Sequence, residues 1–359
     1  MKKKDNENRI VSPWYLTAGP EVDVAASSRV RIARNLAGVD FPTRLSTEEK
    51  KALGDRIVSK FLAAPGIDPK DWVDVRLIDM DEPGCLSLVE KRLISPELLQ
   101  NRETARVLIR RDESASLMMG EEDHVRIQAM VPGYDLKRAY DEAESLAKIL
   151  EAELPVAFTE ELGFLTACPT NVGTGLRVSV QLHLPALVMT RELKVLAEAL
   201  QKGGLAVRGD HGESSAAAGH MFQISNQCTL GVSPQTTLQE LGAVVDQLIE
   251  RERAAREALV RHSRLALEDR VWRSLALLQN ARSLSEQEAV RLLSDLRLGY
   301  ALGWLDKEDL SWELICRLWA EVGPGSVQRR EGEILEPQRR DYKRAEIVRD
   351  LFAAERGKE

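Results

Sequence analysis

The tightest constraint on this fold is a parity pattern. In SSRVRIA, Arg29 and Arg31 fall on one face of an extended chain while Val30 and Ile32 fall on the other. In GEEDHVRIQAM, Glu122, His124, Arg126 and Gln128 oppose Val125, Ile127 and Ala129. In GLRVSVQLHL, Arg177, Ser179, Gln181 and His183 oppose Leu176, Val178, Val180, Leu182 and Leu184. LAVRGDHGE adds Arg208 where an apolar run meets a glycine turn, with Glu213 five residues on. Such segments specify a sheet with one face on the core and one polar face. Surface arginine is ordinary, so a solvated face accounts for any one of these segments. Four together, with carboxylates beside two of them, also suit an arginine-lined surface for a polyphosphate.

Further short apolar or alternating runs at 73–80, 105–111, 115–119, 156–166 and 221–230 read as strands. Between them lie helical patterns. STEEKKALGDRIVSKFLAA opens with a Ser46–Glu49 capping box. LKRAYDEAESLAKILEAEL and TRELKVLAEALQKGG carry apolar residues at helical spacing, the second stopping at Gly203–Gly204. No regular strand–helix–strand rhythm is present, which favours an antiparallel or mixed sheet in an α+β fold. From Thr237 to Ala320 the chain contains no proline and reads as helix after helix, and a last helical pattern runs to Phe352. The expected division is a loose lead over 1–22, a sheet domain over 23–255 and a helical domain over 256–359.

A formal charge of −7 argues against a general nucleic-acid coat. No run approaches the roughly 18 apolar residues of a membrane span, and MKKKDNENRI lacks the apolar stretch of a signal peptide. Cys85, Cys168, Cys228 and Cys316 form no close pair, so neither a disulfide framework nor a zinc site is expected, and a reducing cytoplasm fits. The chain has no GxxxxGK[ST], no GxGxxG after a strand and no HRD or DFG set. A nucleotide would have to be held by arginines.

At this point the motifs become recognisable. CPTNVGTGLRVSV (168–180), GEEDHVRI (120–127), RGDHGE (208–213), FQISNQCTLG (222–231) and SSRVRIARN (27–35) resemble five signatures of the phosphagen, or guanidino, kinases. Gly120 departs from that family's usual Asn. The small-molecule members carry a helical domain before the first motif. This chain instead ends in a helical region containing RRDYKRAEIVRDLF, an arrangement that resembles the bacterial protein-arginine kinases.

The resemblance implies a phosphagen-kinase-like antiparallel sheet flanked by helices, followed by an all-helical C-terminal domain. It implies ATP and Mg²⁺, with no metal ligand from the protein, and transfer of the γ-phosphoryl group to arginine side chains of proteins. Arg29, Arg31, Arg126, Arg177 and Arg208 would hold the phosphates, and Glu122 and Glu213 would grip the acceptor guanidinium. Asn171, Gly173 and Thr174 would shape the loop between nucleotide and acceptor, with His183 and His211 as candidate pocket residues. Cys168 would be the family's reactive cysteine, its thiolate favoured by nearby arginines; as an isolated residue it reads as a small buried hydrophobe. Arg340, Asp341, Arg344 and Ala345 would belong to a phosphoarginine-binding regulatory site, although by spacing alone they read as a solvated helix face. The implied partners are an activator protein, a transcriptional repressor and the Clp protease machinery, in a cytoplasmic homodimer with no membrane or direct nucleic-acid role. The competing readings are a kinase of small guanidines and a silent phosphoarginine-binding adaptor.

Overall fold

The structure is a computed structural model that describes residues 11–209, 219–305 and 310–356. In chain order come β1 (Ala25–Arg34), α1 (Thr47–Ala63), β2 (Trp72–Arg76), α2 (Glu82–Glu90), β3 (Arg106–Arg110), β4 (Ala115–Met119), β5 (Val125–Pro132) and α3 (Leu136–Glu153). There follow β6 (Phe158–Thr159), β7 (Gly163–Phe164), β8 (Leu176–His183), α4 (Pro185–Met189), α5 (Leu193–Lys202), β9 (Leu205–Gly209) and β10 (Met221–Asn226). The chain then turns helical with α6 (Pro234–Asn280), α7 (Glu286–Ala301), α8 (Trp312–Glu321), α9 (Pro324–Glu331) and α10 (Pro337–Arg356).

Eight strands form one sheet in the order β2-β3-β4-β5-β1-β8-β10-β9, and each paired neighbour is antiparallel. The alternation read from sequence fixes its faces. Val30, Ile32, Val125, Ile127, Val178 and Val180 lie in the main core, where α3 contributes Leu136, Ala139, Ala143, Leu146 and Leu150 at helical spacing. The cap of α1 forms as expected: the Glu49 N–H donates to Ser46 Oγ at 3.3 Å, and the Ser46 N–H donates to Glu49 Oε2 at 2.8 Å. The run 156–166 departs from expectation. It is a hairpin of two two-residue strands, turned through 160–162, with Gly163 at φ 75° opening the second strand and an edge-to-face contact of Phe158 with Phe164 at 5.1 Å.

The polar face is only partly open. The segment around α2 covers one side, where Leu77, Leu88, Leu93 and Leu98 pack on Val107, Ile109, Met118 and Met130. The expected loose lead is packed from Trp14 onward: Trp14 donates its backbone N–H to Asp112 at 2.9 Å and joins the same cluster. The helix α6 is interrupted at Ser263 (φ −145°, ψ 31°). Its residues through Ala255 belong to the sheet-domain core, and those from Val271 belong to a second core built with α7, α8 and α10. Glu90 of α2 joins the two bodies by accepting the N–H groups of Gly325 and Ser326 at 2.5 and 2.8 Å, at the first turn of α9.

Candidate active site

Strand register gathers the arginines. Arg31 on β1 stands opposite Arg177 on β8 and Gln128 on β5, and Arg126 lies two residues from Gln128 on that same face. Arg29 stands opposite Ser179, and Arg208 on β9 opposes Gln223 on β10. Arg29 donates to Gln223 Oε1 at 2.6 Å. The Arg31 Nε is buried without a hydrogen-bond partner. Burial, then Arg126 and Arg177, pull the Arg31 pKa down to about 9, with Glu121 acting in the opposite sense and Arg208 adding to the repulsion. Arg177 is lowered too, by burial first and then by Arg208 and Arg126. Burial and mutual repulsion disfavour these two cations, and an anion set among them would relieve both.

Carboxylates border the cluster on one side. Arg126 donates to Glu121 Oε1 at 2.6 Å and to Glu122 Oε1 at 2.5 Å. Glu121 is buried and also accepts from Ser95 Oγ at 2.6 Å; burial raises its pKa against the pull of Arg126. Glu122 remains accessible, its side chain 43% exposed, and the same Oε1 accepts from Asn171 Nδ2 at 3.1 Å.

The stretch 168–175 is the brace between these parts. Its Pro169–Asn171 turn presents Asn171 to Glu122. Gly173 has φ 105°, and a Cβ there would lie 2.4 Å from the Thr229 carbonyl oxygen, so only glycine fits. The Thr174 N–H donates to that carbonyl at 3.1 Å, and Thr229 Oγ1 donates to the carbonyls of Thr170 and Val172 at 2.8 and 2.7 Å. Asp123 Oδ1 fixes the other end by accepting from Asn35 Nδ2 at 2.7 Å and the Ala167 N–H at 2.8 Å. Cys168 is half-buried, with Sγ 3.0 Å from Thr170 Oγ1, and lies near enough to Arg177 to influence its titration.

Not all of the expected site residues can be placed in this cluster. Glu213 and His211 fall outside the described residues. His183 is not a pocket residue: it is fully buried, and its Nε2 meets Ser294 Oγ of α7 at 2.8 Å, because the helical domain covers that end of the polar face. Arg344 is not available to clasp a phosphoryl group. It is 1% exposed, and it donates to the carbonyls of Val322 and Leu284 at 2.6 and 2.7 Å and to Asp341 Oδ1 at 2.6 Å. Ala345 is fully buried beside it, whereas Arg340 keeps a buried, unpartnered Nε.

Sequence reasoning missed three contributors. Glu121 and Asp123 were visible as neighbours of Glu122 but gave no sign that one would hold Arg126 and the other the 168–175 loop. Arg92, at φ 60° just beyond α2, donates to Gln181 on the polar face and gave no pattern at all. Beyond Arg29 that face opens into a cavity of about 420 Å³, lined by Arg29, Arg92, Gln181 and Gln223 and closed by α7 and α8.

Residues 57–255 match the family described as ATP:guanido phosphotransferase, C-terminal catalytic domain. With the antiparallel sheet and its arginine-lined face, this defines a guanido phosphotransferase. Residues 264–359 match the family described as Protein-arginine kinase McsB C-terminal domain. Proteins named protein-arginine kinase are similar along nearly the whole chain. That of Bacillus pumilus is 44% identical over 345 residues, 96% of this chain and 94% of the relative. That of Bacillus subtilis (strain 168) is 43% identical over 347 residues, with shares of 96% and 94%. The chain belongs to the protein-arginine kinase family, and its reaction is the ATP-dependent phosphorylation of arginine in proteins. Among solved structures, the duplicated taurocyamine kinase of Schistosoma mansoni with bound transition state analog components is 25% identical with a TM-score of 0.58. That match covers 70% of this chain and 36% of that one. Lombricine kinase, at 23% identity and a TM-score of 0.56 over 70% of this chain and 72% of that one, shares the fold. No helix among the described residues is long and apolar enough to cross a membrane.

Proposed function

We propose that Arg29, Arg31, Arg126, Arg177 and Arg208 hold the phosphates of ATP, and that Glu122 and Glu213 grip the arginine that accepts the γ-phosphoryl group. The observation that carries this reading is Arg31: a half-buried guanidinium with an unpartnered Nε, surrounded by three further arginines. In a loose phosphoryl-transfer transition state charge spreads over the equatorial oxygens, and catalysis is mainly positioning and electrostatics. A guanidinium has no nucleophilic lone pair until a proton departs. As its nitrogen bonds to phosphorus and the bond from the γ-phosphorus to the bridging oxygen of ADP breaks, a carboxylate takes that proton. Glu122 Oε1 is held by Arg126 and Asn171, so we assign proton acceptance to Oε2. Mg²⁺ would ride on the phosphates and neutralise their remaining charge.

The C-terminal motif supports a narrower regulatory role than its spacing implied. Arg344 braces Asp341 and the helix, leaving Arg340 and Asp341 as the pair to meet phosphoarginine. The further proposals are that the kinase inactivates a repressor, tags proteins for the Clp machinery, answers to an activator and works as a cytoplasmic dimer.

The test uses γ-labelled ATP and Mg²⁺ with a basic protein in one tube and free arginine in another. Acid-labile label on the protein, reduced at least about 100-fold by Glu122→Gln, is the expected result. Label on free arginine alone would overturn the reading in favour of a small-guanidine kinase. Undiminished transfer by Glu122→Gln would remove that residue from the chemistry.

A further inference from the structure

The cavity beyond Arg29 has a wall the sheet does not supply. Arg297 of α7 and Trp312 at the start of α8 both line it. Each carries a buried donor without a partner, Nε of Arg297 and Nε1 of Trp312. Such groups are uncommon in a folded interior and call for an acceptor. Arg297 is also held rigid. It is 4% exposed, donates through Nη2 to the Val22 carbonyl at 2.8 Å and stacks with its guanidinium 4.7 Å from the centre of the Trp312 ring.

Resting on the reading that the arginine face holds the phosphates, we infer that the helical domain completes the nucleotide site. Arg297 and Trp312 donate to the acceptor nitrogens of the purine base. Arg29 and Arg31 point to one face two residues apart, roughly 7 Å along the strand. A phosphate chain running from Arg31 past Arg29 therefore delivers the attached nucleoside into this cavity. The volume, about 420 Å³, lies within the roughly 300–1,000 Å³ of small-molecule sites. The wall suits a flat ring: Tyr15, Trp319, Met130 and Met221 line it, and Glu286 stands there with the cations Arg29, Lys91 and Arg92. A purine offers ring nitrogens that accept hydrogen bonds in its plane, which is what two orphan N–H donors lack.

The experiment measures, on the full chain, the affinity for ATP and for inorganic tripolyphosphate by calorimetry, in wild type, Trp312→Phe and Arg297→Lys. Phenylalanine keeps the ring and removes only the N–H. Trp312→Phe should weaken ATP about five- to tenfold, the worth of one hydrogen bond, and Arg297→Lys should weaken it as much or more. Tripolyphosphate should bind all three proteins alike, which also reports that the variants are folded. Unchanged ATP affinity in both variants, or an equal loss for ATP and tripolyphosphate, would overturn the inference. If tripolyphosphate fails to compete with ATP even in wild type, the phosphate assignment itself fails, and the base assignment falls with it.

Discussion

Replacing Gly173 with alanine tests whether the 168–175 loop is a brace for the Glu122 carboxylate. The new Cβ would sit 2.4 Å from the Thr229 carbonyl oxygen and 2.8 Å from Leu230 Cα. A relaxed C···O approach is about 3.3 Å, so the two backbones must separate by about 0.9 Å. Thr229 cannot simply yield, because its hydroxyl bonds two carbonyls of the same loop. The displacement passes instead to Asn171, which bonds Glu122 at 3.1 Å. An error of about 1 Å in a positioned group costs about 100-fold in rate, and alanine at φ 105° adds about 1–2 kcal/mol of backbone strain. Gly231 is the control: its φ is 76°, but a Cβ there meets nothing within 4 Å. Gly231→Ala should lower the melting temperature by about 2–4 °C and leave kcat within about twofold. Gly173→Ala should lower kcat about 100-fold, measured as acid-labile phosphate on protein. If the two variants match in kcat, the loop does not brace the site and the reasoning fails.

Arg344→Met removes a buried guanidinium from the Val322 and Leu284 carbonyls and from Asp341; a loss of about 3 kcal/mol is expected in chemical denaturation, and a loss under about 1 kcal/mol would refute the strut. Arg31→Gln relieves a cationic cluster, so the variant should melt at or above wild type without nucleotide yet gain no stability from ATP; a wild-type-sized ATP shift would refute its role. His183 is held neutral, its pKa driven well below 6.5 by burial and then by Arg297 and Arg256. With a depressed folded pKa, its contribution is fully present above the unfolded value and is lost as pH falls toward the folded one. Between pH 7.5 and pH 5.5 this costs about 1.4 kcal/mol, and His124, lowered chiefly by burial, acts in the same direction. His183→Gln should reduce that acid sensitivity, as followed by denaturation at the two pH values.

The faces of β1, β5 and β8 were legible because a two-residue period admits only one register against a buried core. The arginines on them were legible for the same reason. What covers those faces was not. Arg177 and His183 share one side of β8, six residues apart, and alternation treats them alike. In three dimensions the first lies among guanidinia and the second beneath Ser294 of α7. Arg344 was misread for a related reason. Helical spacing sets Arg340 and Arg344 on one face, but it cannot tell whether that face meets solvent or the carbonyls of a neighbouring turn. The contributions of Asp123, Arg92 and Arg297 arise from contacts across 88, 89 and 275 residues of chain, which no local pattern encodes.

These departures share a physical logic. A strand sequence states how strongly each side chain prefers water, and arginine satisfies that statement equally well in solvent, in an ion pair or against a phosphate. The two faces of this sheet use more than one of these solutions. On the core face, near the edge, Arg106 pairs with Asp55 of α1 and Asp74 of β2, and the pairing raises its pKa, chiefly through Asp74. On the polar face Arg31 and Arg177 are lowered, by burial first and then by the arginines beside them. Sign alone does not sort these roles, since burial also lowers Arg34, which pairs with Glu151; what differs is whether a carboxylate stands against the guanidinium. That distinction becomes visible only when the neighbours of each guanidinium are known.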